Sequence, residues 1–274
     1  MKRILTYISL SLLGILFLMP FLWMIVSSFK PQVDIFGDAF PLQWKAFWVM
    51  APTLEHYGKV FIAVPFARYL MNTVFISIAV TFGSLLIGSL AAFSFARLRF
   101  PGRDILFIAV LSTMIIPGEV TFMPLFLVVR TLGWIDSYAA LIVPPLFGAF
   151  GIFLLRQFFR DIPRDLEDSA RIDGCSAIGI YRHIILPLGK SALITLGLLA
   201  FIGEWGSFLW PLVVMNSPEK QVIQVGIANF TTTYGVYWGR ILAASAMASI
   251  PVILLFIMLQ RYYVRGIVMS GMKG

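Results

Sequence analysis

Apolar runs long enough to cross a membrane are the feature that most constrains the fold of this chain. The first run covers residues 4–26 and follows Lys2 and Arg3. At about 1.5 Å per residue, roughly 20 residues of helix cross the hydrocarbon core of a bilayer. A secretory signal peptide has a shorter apolar region and a small-residue cleavage site, and no clear cleavage pattern follows this run. We therefore predict a first transmembrane helix here.

Five further apolar runs have a similar length. They are predicted to form spans over about residues 69–96, 105–129, 138–159, 191–210 and 241–259. Only 12% of the 274 residues are charged, and the mean hydropathy is +0.91. Soluble domains carry roughly 25% charged residues. The composition therefore predicts an all-α polytopic membrane protein, with six transmembrane helices in a single domain over residues 1–274.

Lysine and arginine are distributed unevenly between the segments that connect these spans. The two ends, the loop 97–103 and the segment 156–190 hold 14 of the 21 basic residues. Six spans put both ends on one side, and the positive-inside rule places the more basic side in the cytoplasm. We expect a multi-pass protein of the bacterial cytoplasmic (inner) membrane with both termini in the cytoplasm. The net charge of +8 then reflects orientation, and no nucleic acid partner is expected.

Polar residues within the spans are candidates for a translocation pathway or gate. Pro117-Gly118 and Pro124 break the third span, and a broken helix at membrane depth must line protein or a water-filled cavity. An acid deep in a span should also face the bundle interior or water. The candidates are Asn72, Glu119, Glu204, Trp205 and Trp210.

Each candidate also has a structural interpretation. Glu204 fits either a pathway or an acid paired with an arginine or a backbone group, and Glu119 fits either a pathway or an interfacial position. Asn72 fits a polar helix end as well as a pathway lining. Trp205 and Trp210 fit an interfacial aromatic belt as well as a surface that stacks on a sugar ring.

The most charged stretch of the chain, residues 163–187, lies between the fourth and fifth predicted spans, and we call it the docking segment. Pro163 suits a first helical turn, and the acids after it lie where the helix dipole favours negative charge. Gly174 can take a left-handed cap, Ser176 suits the N-cap of a second helix, and Pro187 ends that helix or marks its junction. We predict two short helices that meet at a glycine, carry charge on their outer faces and dock on a partner.

No motif for catalysis or nucleotide binding is convincing. Residues 174–179 have the glycine spacing of a phosphate-binding loop, but Ile180 replaces the lysine that would reach the phosphates. The single Cys175 excludes an internal disulfide, and His56 and His183 lack metal-ligand spacing. We expect a chain that is not an enzyme and that itself binds no metal or cofactor.

The docking segment contains a spaced motif. Asp168-Ser-Ala is followed four residues later by Gly174, and Ile184-Ile-Leu-Pro187 comes about a dozen residues after that glycine. This pattern resembles the EAA loop of ABC-importer permease subunits, with aspartate and serine at the first two positions in place of glutamate and alanine. Three other regions are similar to the maltose-type carbohydrate permeases. They are Asn72-Thr73, the stretch from Glu204-Trp205 to Pro211, and the tail 260–274.

The resemblance implies a permease subunit of an ATP-driven importer for a carbohydrate or sugar-like solute. It implies a second homologous permease subunit, two ATPase subunits that bind the ATP and magnesium, and an extracytoplasmic solute-binding protein, all in contact with membrane lipid. The cytoplasmic loop 160–190 would dock in a groove on the ATPase, and the cytoplasmic tail 260–274 would reach toward the ATPase dimer. The docking residues that it implies are Arg164, Glu167, Asp168, Ser169, Ala170, Arg171, Asp173, Gly174, Leu186 and Pro187.

Three other functions stay open. The same architecture could import glycerol-3-phosphate, a polyol or a glycoside. An ion-coupled secondary transporter would use Glu204 and Glu119 as proton or cation sites, although such folds often have paired broken helices in two halves. A membrane scaffold subunit without transport is the third alternative.

Overall fold

The protein is described by a computed structural model over residues 2–37, 43–232 and 235–271. Asp38, Thr233, Tyr234 and the last three residues of the tail lie outside this range. The described chain is mainly helical. Its α-helices are α1 (Lys2–Ser28), α2 (Glu55–Ala63), α3 (Phe66–Arg97), α4 (Arg103–Ser112), α5 (Gly118–Thr131), α6 (Tyr138–Ile142), α7 (Ala149–Asp161), α8 (Asp165–Ile172), α9 (Ala177–Ile180), α10 (Leu186–Leu188), α11 (Lys190–Trp205), α12 (Leu209–Val214), α13 (Ile223–Ala228) and α14 (Trp238–Gly271).

Short elements of other types connect these helices. Strands β1 (Thr231–Thr232) and β2 (Gly235–Val236) pair antiparallel, with Thr231 opposite Val236 and Thr232 opposite Gly235. The 3₁₀ turns are Trp44–Phe47, Thr113–Ile115, Pro144–Leu146 and Pro218–Lys220, and a π-type turn covers Tyr181–Ile185.

Three helices and three bent helix pairs have the length and composition to cross a membrane. The continuous helices cover Arg3–Ser28, Phe66–Arg97 and Trp238–Gln260. The pairs are Arg103–Ile115 with Gly118–Thr131, bent by 103°, Tyr138–Leu146 with Ala149–Asp161, bent by 41°, and Ala177–Leu188 with Lys190–Trp205, bent by 78°. The described chain thus has six spans when each bent pair is counted as one. The break in the third span follows from Pro117, which cannot continue the preceding helix.

Helix α11, which forms the apolar part of the fifth span, ends earlier than the sequence indicates. Helix α11 ends at Trp205 with Gly206 as its C-cap, and Leu209–Val214 forms the separate helix α12. The predicted span extends to residue 210 because the apolar run continues that far. Glycine is a weak helix former, so the run breaks at Gly206 although the hydropathy stays high.

The chain divides into two compact units. One comprises Met1–Leu70 with Gln221–Ile253, and the other comprises Met71–Lys220 with Leu254–Gly274. The core of the first contains Val60, Phe66, Ile223, Phe230, Ala243, Ala244 and Ala248. The core of the second contains Ala92, Phe93, Ala96, Leu155, Phe159, Ile180, Tyr181, Ile185, Ala192 and Leu196. The second unit holds the whole docking segment and all five pathway candidates.

Candidate functional site

The docking segment folds as two short helices that meet at Gly174. Helix α8 has three acidic side chains in its first turn and Arg171 in its last turn. The N–H of Gly174 donates to the carbonyl of Arg171 (3.0 Å), and the N–H of Cys175 donates to the carbonyl of Ala170 (2.8 Å). These two bonds form a Schellman motif, which needs a left-handed residue, and Gly174 has a φ of +81°. The predicted glycine cap is confirmed.

The second helix of the docking segment begins at a serine cap. The Oγ of Ser176 accepts a hydrogen bond from the N–H of Gly179 at 3.2 Å, as predicted. The helix then widens at the π-type turn Tyr181–Ile185 and continues past Pro187 to Gly189, where the chain bends into α11. Pro187 therefore does not end the helix. The wider turn before it makes room for its ring beside the preceding carbonyl groups.

The docking segment packs directly on the membrane-spanning helices. The hydroxyl groups of Tyr181 and Ser89 lie 2.7 Å apart within the core of the second unit. At the bend, a Cβ on Gly189 would lie 2.6 Å from the ring of Phe159 and 3.0 Å from the carbonyl oxygen of Ile185. Only glycine fits there without displacing the ring or the backbone. The second docking helix is thus held by close packing as well as by its covalent connection to α11.

A buried ion pair ties the first docking helix to two spans. The Nε of Arg97, at the end of α3, lies 2.9 Å from Oε1 of Glu167, and the two side chains are 2% and 3% exposed. The Nη2 of Arg97 also donates to the carbonyl oxygens of Phe159 and Ile162, which belong to the end of α7 and the residue after it. The prediction that the charges lie on the outer faces is therefore wrong for Glu167. Its carboxylate points inward because Arg97 and the carbonyl groups form a polar site under α8.

The outward face of the docking segment is partly apolar. Ile172 and Ile178 are 87% and 75% exposed on either side of Gly174, and Leu166 is also exposed. Cys175 lies between them as an exposed free thiol. Exposed aliphatic side chains at the tip of a charged loop indicate a surface that a partner covers.

The other predicted docking residues are distributed around this tip. Asp168 pairs with Arg171 at 3.0 Å, and the Oγ of Ser169 donates to the carbonyl of Asp165. Arg164 and Asp173 flank α8 and are exposed. Ala170 and Leu186 pack against the core of the second unit and are partly buried. All ten predicted residues thus lie on one helix-turn-helix element, some outward and some inward.

Two of the pathway candidates make structural contacts. The Nδ2 of Asn72 donates to the carbonyl of Glu219 (2.9 Å), and its Oδ1 accepts from the hydroxyl of Tyr138 (2.9 Å). The Nε1 of Trp210 donates to the carbonyl of Ala140 (2.8 Å). Asn72 thus joins the start of α3 to α6 and to the turn Pro218–Lys220, and Trp210 joins the start of α12 to α6. Both side chains stabilise the end of the bundle opposite the docking segment.

The remaining candidates lie at helix ends. Glu204 is half-buried in the last turn of α11, and no ion pair to its carboxylate occurs in the described parts of the chain. Trp205 is buried and stacks on Phe201, with the ring centroids 5.4 Å apart. Glu119 is exposed in the first turn of α5, directly after the break. A half-buried acid without a cation beside it is the strongest pathway candidate of the five.

Asp136 is a structural residue that the sequence analysis did not identify. It has a φ of +59°, and its carboxylate accepts hydrogen bonds from the backbone N–H groups of Asn216 (3.1 Å) and Ser217 (2.9 Å) and from the hydroxyl of Ser217. The Nζ of Lys220 lies 3.2 Å from Oδ2 of Asp136. These partners, Ser217 foremost, lower the pKa of Asp136 to about 2. In the sequence, the only local indication of this structural role is the turn-forming stretch Gly-Trp-Ile-Asp-Ser at 133–137.

We expect Asp136→Asn to lower the thermal unfolding midpoint by about 2 to 4 °C at neutral pH. Asparagine tolerates the left-handed backbone, so the change isolates the loss of charge. Because the folded pKa is depressed, the carboxylate stabilises the protein above about pH 4, and this contribution is lost as the pH falls toward 2. The difference between variant and parent should therefore shrink at pH 3. Asp34→Asn, at an exposed carboxylate, is the control, and an equal shift there would contradict the assignment.

Comparison with known proteins agrees with this architecture. A family model described as "Binding-protein-dependent transport system inner membrane component" matches residues 84–268, more than half of the chain. The arabinooligosaccharides transport system permease protein AraQ of Halalkalibacterium halodurans is 33% identical over 268 residues, which cover 97% of this chain and 95% of that protein. The trehalose/maltose transport system permease protein MalG of Thermococcus litoralis is 34% identical over 279 residues, covering 100% of this chain and 98% of that protein.

The fold is shared with a solved transporter. A crystal structure of a bacterial ABC transporter involved in the import of the acidic polysaccharide alginate superposes with a TM-score of 0.82 at 24% identity, and the match covers 96% of each chain. The resemblance inferred from the docking segment is confirmed. With its six-span fold and its helix-turn-helix docking segment, this chain belongs to the family of binding-protein-dependent transport system inner membrane components, the permease subunits of ABC importers.

Proposed function

We propose that this permease moves a carbohydrate or sugar-like solute across the inner membrane, driven by ATPase subunits that bind its docking segment. The observation that carries the proposal is the rigid docking segment. Its first helix is held by the buried Arg97–Glu167 pair, and its second helix continues through a single bend into α11. A force on the tip would therefore reach α3, α7 and α11 together. Such an element converts movement of a partner into movement of the spans.

The proposed assembly contains a second, homologous permease, two ATPase subunits and an extracytoplasmic solute-binding protein. In this proposal both termini and the docking segment lie in the cytoplasm, which the excess of basic residues on that side supports. The family description names binding-protein dependence directly. ATP hydrolysis then belongs to the partner subunits, because residues 174–179 form a helix cap in place of a nucleotide site.

The proposed solute class rests on the relatives. The two permeases compared above are named for arabinooligosaccharides and for trehalose and maltose. Uptake of radiolabelled oligosaccharides by proteoliposomes that contain the whole assembly tests this class, with glycerol-3-phosphate and polyols as the competing substrates. Uptake that follows an ion gradient and continues without ATP would exclude the importer in favour of a secondary transporter.

Docking is tested at the exposed apolar tip. We expect Ile172→Asp and Ile178→Asp each to reduce co-purification of the ATPase subunits by about tenfold, since burying one aliphatic side chain contributes roughly 1.5 to 3 kcal/mol. Neither residue packs inside the protein, so membrane insertion should be unchanged. Val33→Asp is the matched control, because Val33 is an equally exposed aliphatic residue outside the docking segment. Normal ATPase recovery with both tip variants would remove the basis of the proposal.

The pathway role of Glu204 is tested separately. Glu204→Gln keeps the size of the side chain and removes its charge, while Gly203→Leu adds bulk at a position with open space around it. We expect each variant to lower solute uptake by about tenfold, or about 1.4 kcal/mol in the transport barrier, with an unchanged unfolding midpoint. Glu55→Gln, at a surface carboxylate paired with Lys59, is the control. Wild-type uptake by both variants would make Glu204 a structural residue.

A further inference from the structure

Two adjacent basic cavities lie between the loop that follows α3 and the start of α8. Their volumes are about 360 Å³ and about 640 Å³, and Arg99 and Arg164 line both of them. Apolar side chains, including Leu98, Phe100 and Ile105, form part of the same walls. The cavities therefore combine cationic groups with an apolar surface.

The charges in these cavities do not balance. Together the walls contain five guanidinium groups and three carboxylates. Arg97, Arg103 and Arg171 each have a carboxylate partner. Within the described residues, no carboxylate lies within 4 Å of Arg99 or Arg164, so both cavities contain two guanidinium groups without a carboxylate partner. Cations that line one cavity without a counter-charge favour the binding of an anion there.

The position of the loop limits which anion can reach this place. Helix α3 ends at Arg97 and α4 begins at Arg103, and both belong to membrane-spanning elements. Only five residues connect them, so the loop lies at the membrane surface. Ile105 in the wall is 74% exposed on the first turn of α4. An apolar side chain that is exposed at the start of a membrane-spanning helix suits the edge of the apolar layer. The cavities thus open at the depth of the lipid headgroups.

We propose that Arg99 and Arg164 bind the phosphodiester of an anionic phospholipid, with Phe100 and Ile105 beside its glycerol and acyl chain. A guanidinium group donates two parallel hydrogen bonds to a phosphate, and basic pockets at the membrane surface are suited to lipid headgroups. Because Arg164 directly precedes α8, the bound lipid would fix the first docking helix to the membrane surface. This binding does not depend on the transported solute or on the presence of the ATPase subunits.

The test uses the full-length chain in detergent micelles that contain equal amounts of phosphatidylglycerol and phosphatidylcholine. Native mass spectrometry reports which lipid stays bound. We expect the parent to retain phosphatidylglycerol selectively, and Arg99→Gln combined with Arg164→Gln to reduce that retention by about tenfold. Arg182→Gln is the matched control, since Arg182 is an exposed arginine of the docking segment outside both cavities. It should retain the lipid as the parent does.

Three results would overturn the proposal. The parent could show no preference for phosphatidylglycerol over phosphatidylcholine. Millimolar inorganic phosphate could displace the lipid completely, which would assign the site to a free phosphate. The double variant could keep its lipid and instead lose the ATPase subunits from the assembled transporter, which would assign the two arginines to an acidic surface of that partner. Circular dichroism of each variant controls for folding.

Discussion

Replacing Arg97 with leucine is expected to destabilise the permease by about 3 to 5 kcal/mol, because Glu167 would stay buried without its main cation. Both side chains are almost fully covered, and Arg97 also binds two backbone carbonyl groups at the end of α7. The loss should appear as a lower unfolding midpoint and as reduced ATPase co-purification, since α8 would no longer be held against the spans. Chemical unfolding of the detergent-solubilised chain measures the first effect.

Two further variants separate the buried pair from a general effect of losing an arginine. Arg103→Leu removes an arginine from the same loop, and its pair with the exposed Asp104 contributes little because water screens it. Combining Arg97→Leu with Glu167→Leu removes both charges, and we expect it to recover much of the stability, as replacements of buried pairs by apolar residues often do. Similar losses for Arg97→Leu and Arg103→Leu would contradict the assigned role of the pair.

The parts of the docking segment that depend on neighbouring residues were predictable. A Schellman cap needs a left-handed residue directly after a helix, and Gly174 follows an amphipathic stretch that ends in Ile172 and Asp173. A serine before a short apolar stretch is likewise a local signal, and Ser176 caps as expected. The break of the third span at Pro117 was predictable for the same reason, because proline disrupts the helical turn in which it lies.

Contacts between distant residues were not predictable. Arg97 and Glu167 are 70 positions apart, and each alone fits an ordinary pattern, a positive charge after a span and an acid in a first helical turn. Nothing in either pattern states that the two side chains meet under a helix. The position of Arg97 under α8 depends on two acceptors at the end of α7. These acceptors are backbone carbonyl groups, which any sequence would supply.

Similar reasons explain the differences elsewhere in the second unit. Helix α11 ends at Trp205 because Gly203 and Gly206 weaken the helix within a run of high hydropathy. Hydropathy alone does not predict this end. Asp136 accepts hydrogen bonds from residues 216 and 217, about 80 positions away. By sequence alone, Asn72 fits either a pathway residue or a polar helix end. Its two hydrogen bonds to Glu219 and Tyr138 favour the structural interpretation.

Gly174→Val is expected to uncouple ATP hydrolysis from transport while lowering stability by only about 1 to 2 kcal/mol. A Cβ at this position would meet no atom within 4 Å, so the whole effect comes from the left-handed backbone, with its φ of +81°. The Schellman bonds would have to distort, and the angle between α8 and α9 would no longer be fixed. We expect uptake per ATP hydrolysed to fall by about tenfold in proteoliposomes. Gly174→Asn, which tolerates this backbone, should be affected much less.

The chain contains a matched control for this change in a second Schellman motif. Gly133 follows α5 with a φ of +69°, the N–H groups of Gly133 and Trp134 donate to the carbonyls of Arg130 and Val129, and a Cβ there would also meet nothing within 4 Å. Gly133→Val should therefore cost a similar amount of stability through the same strain, at a turn outside the docking segment. Uptake per ATP separates the two sites, because only Gly174 sets the angle of the docking helices. If both variants reduce it equally, the loss reflects general destabilisation, and if neither does, the docking segment does not transmit movement as a rigid element.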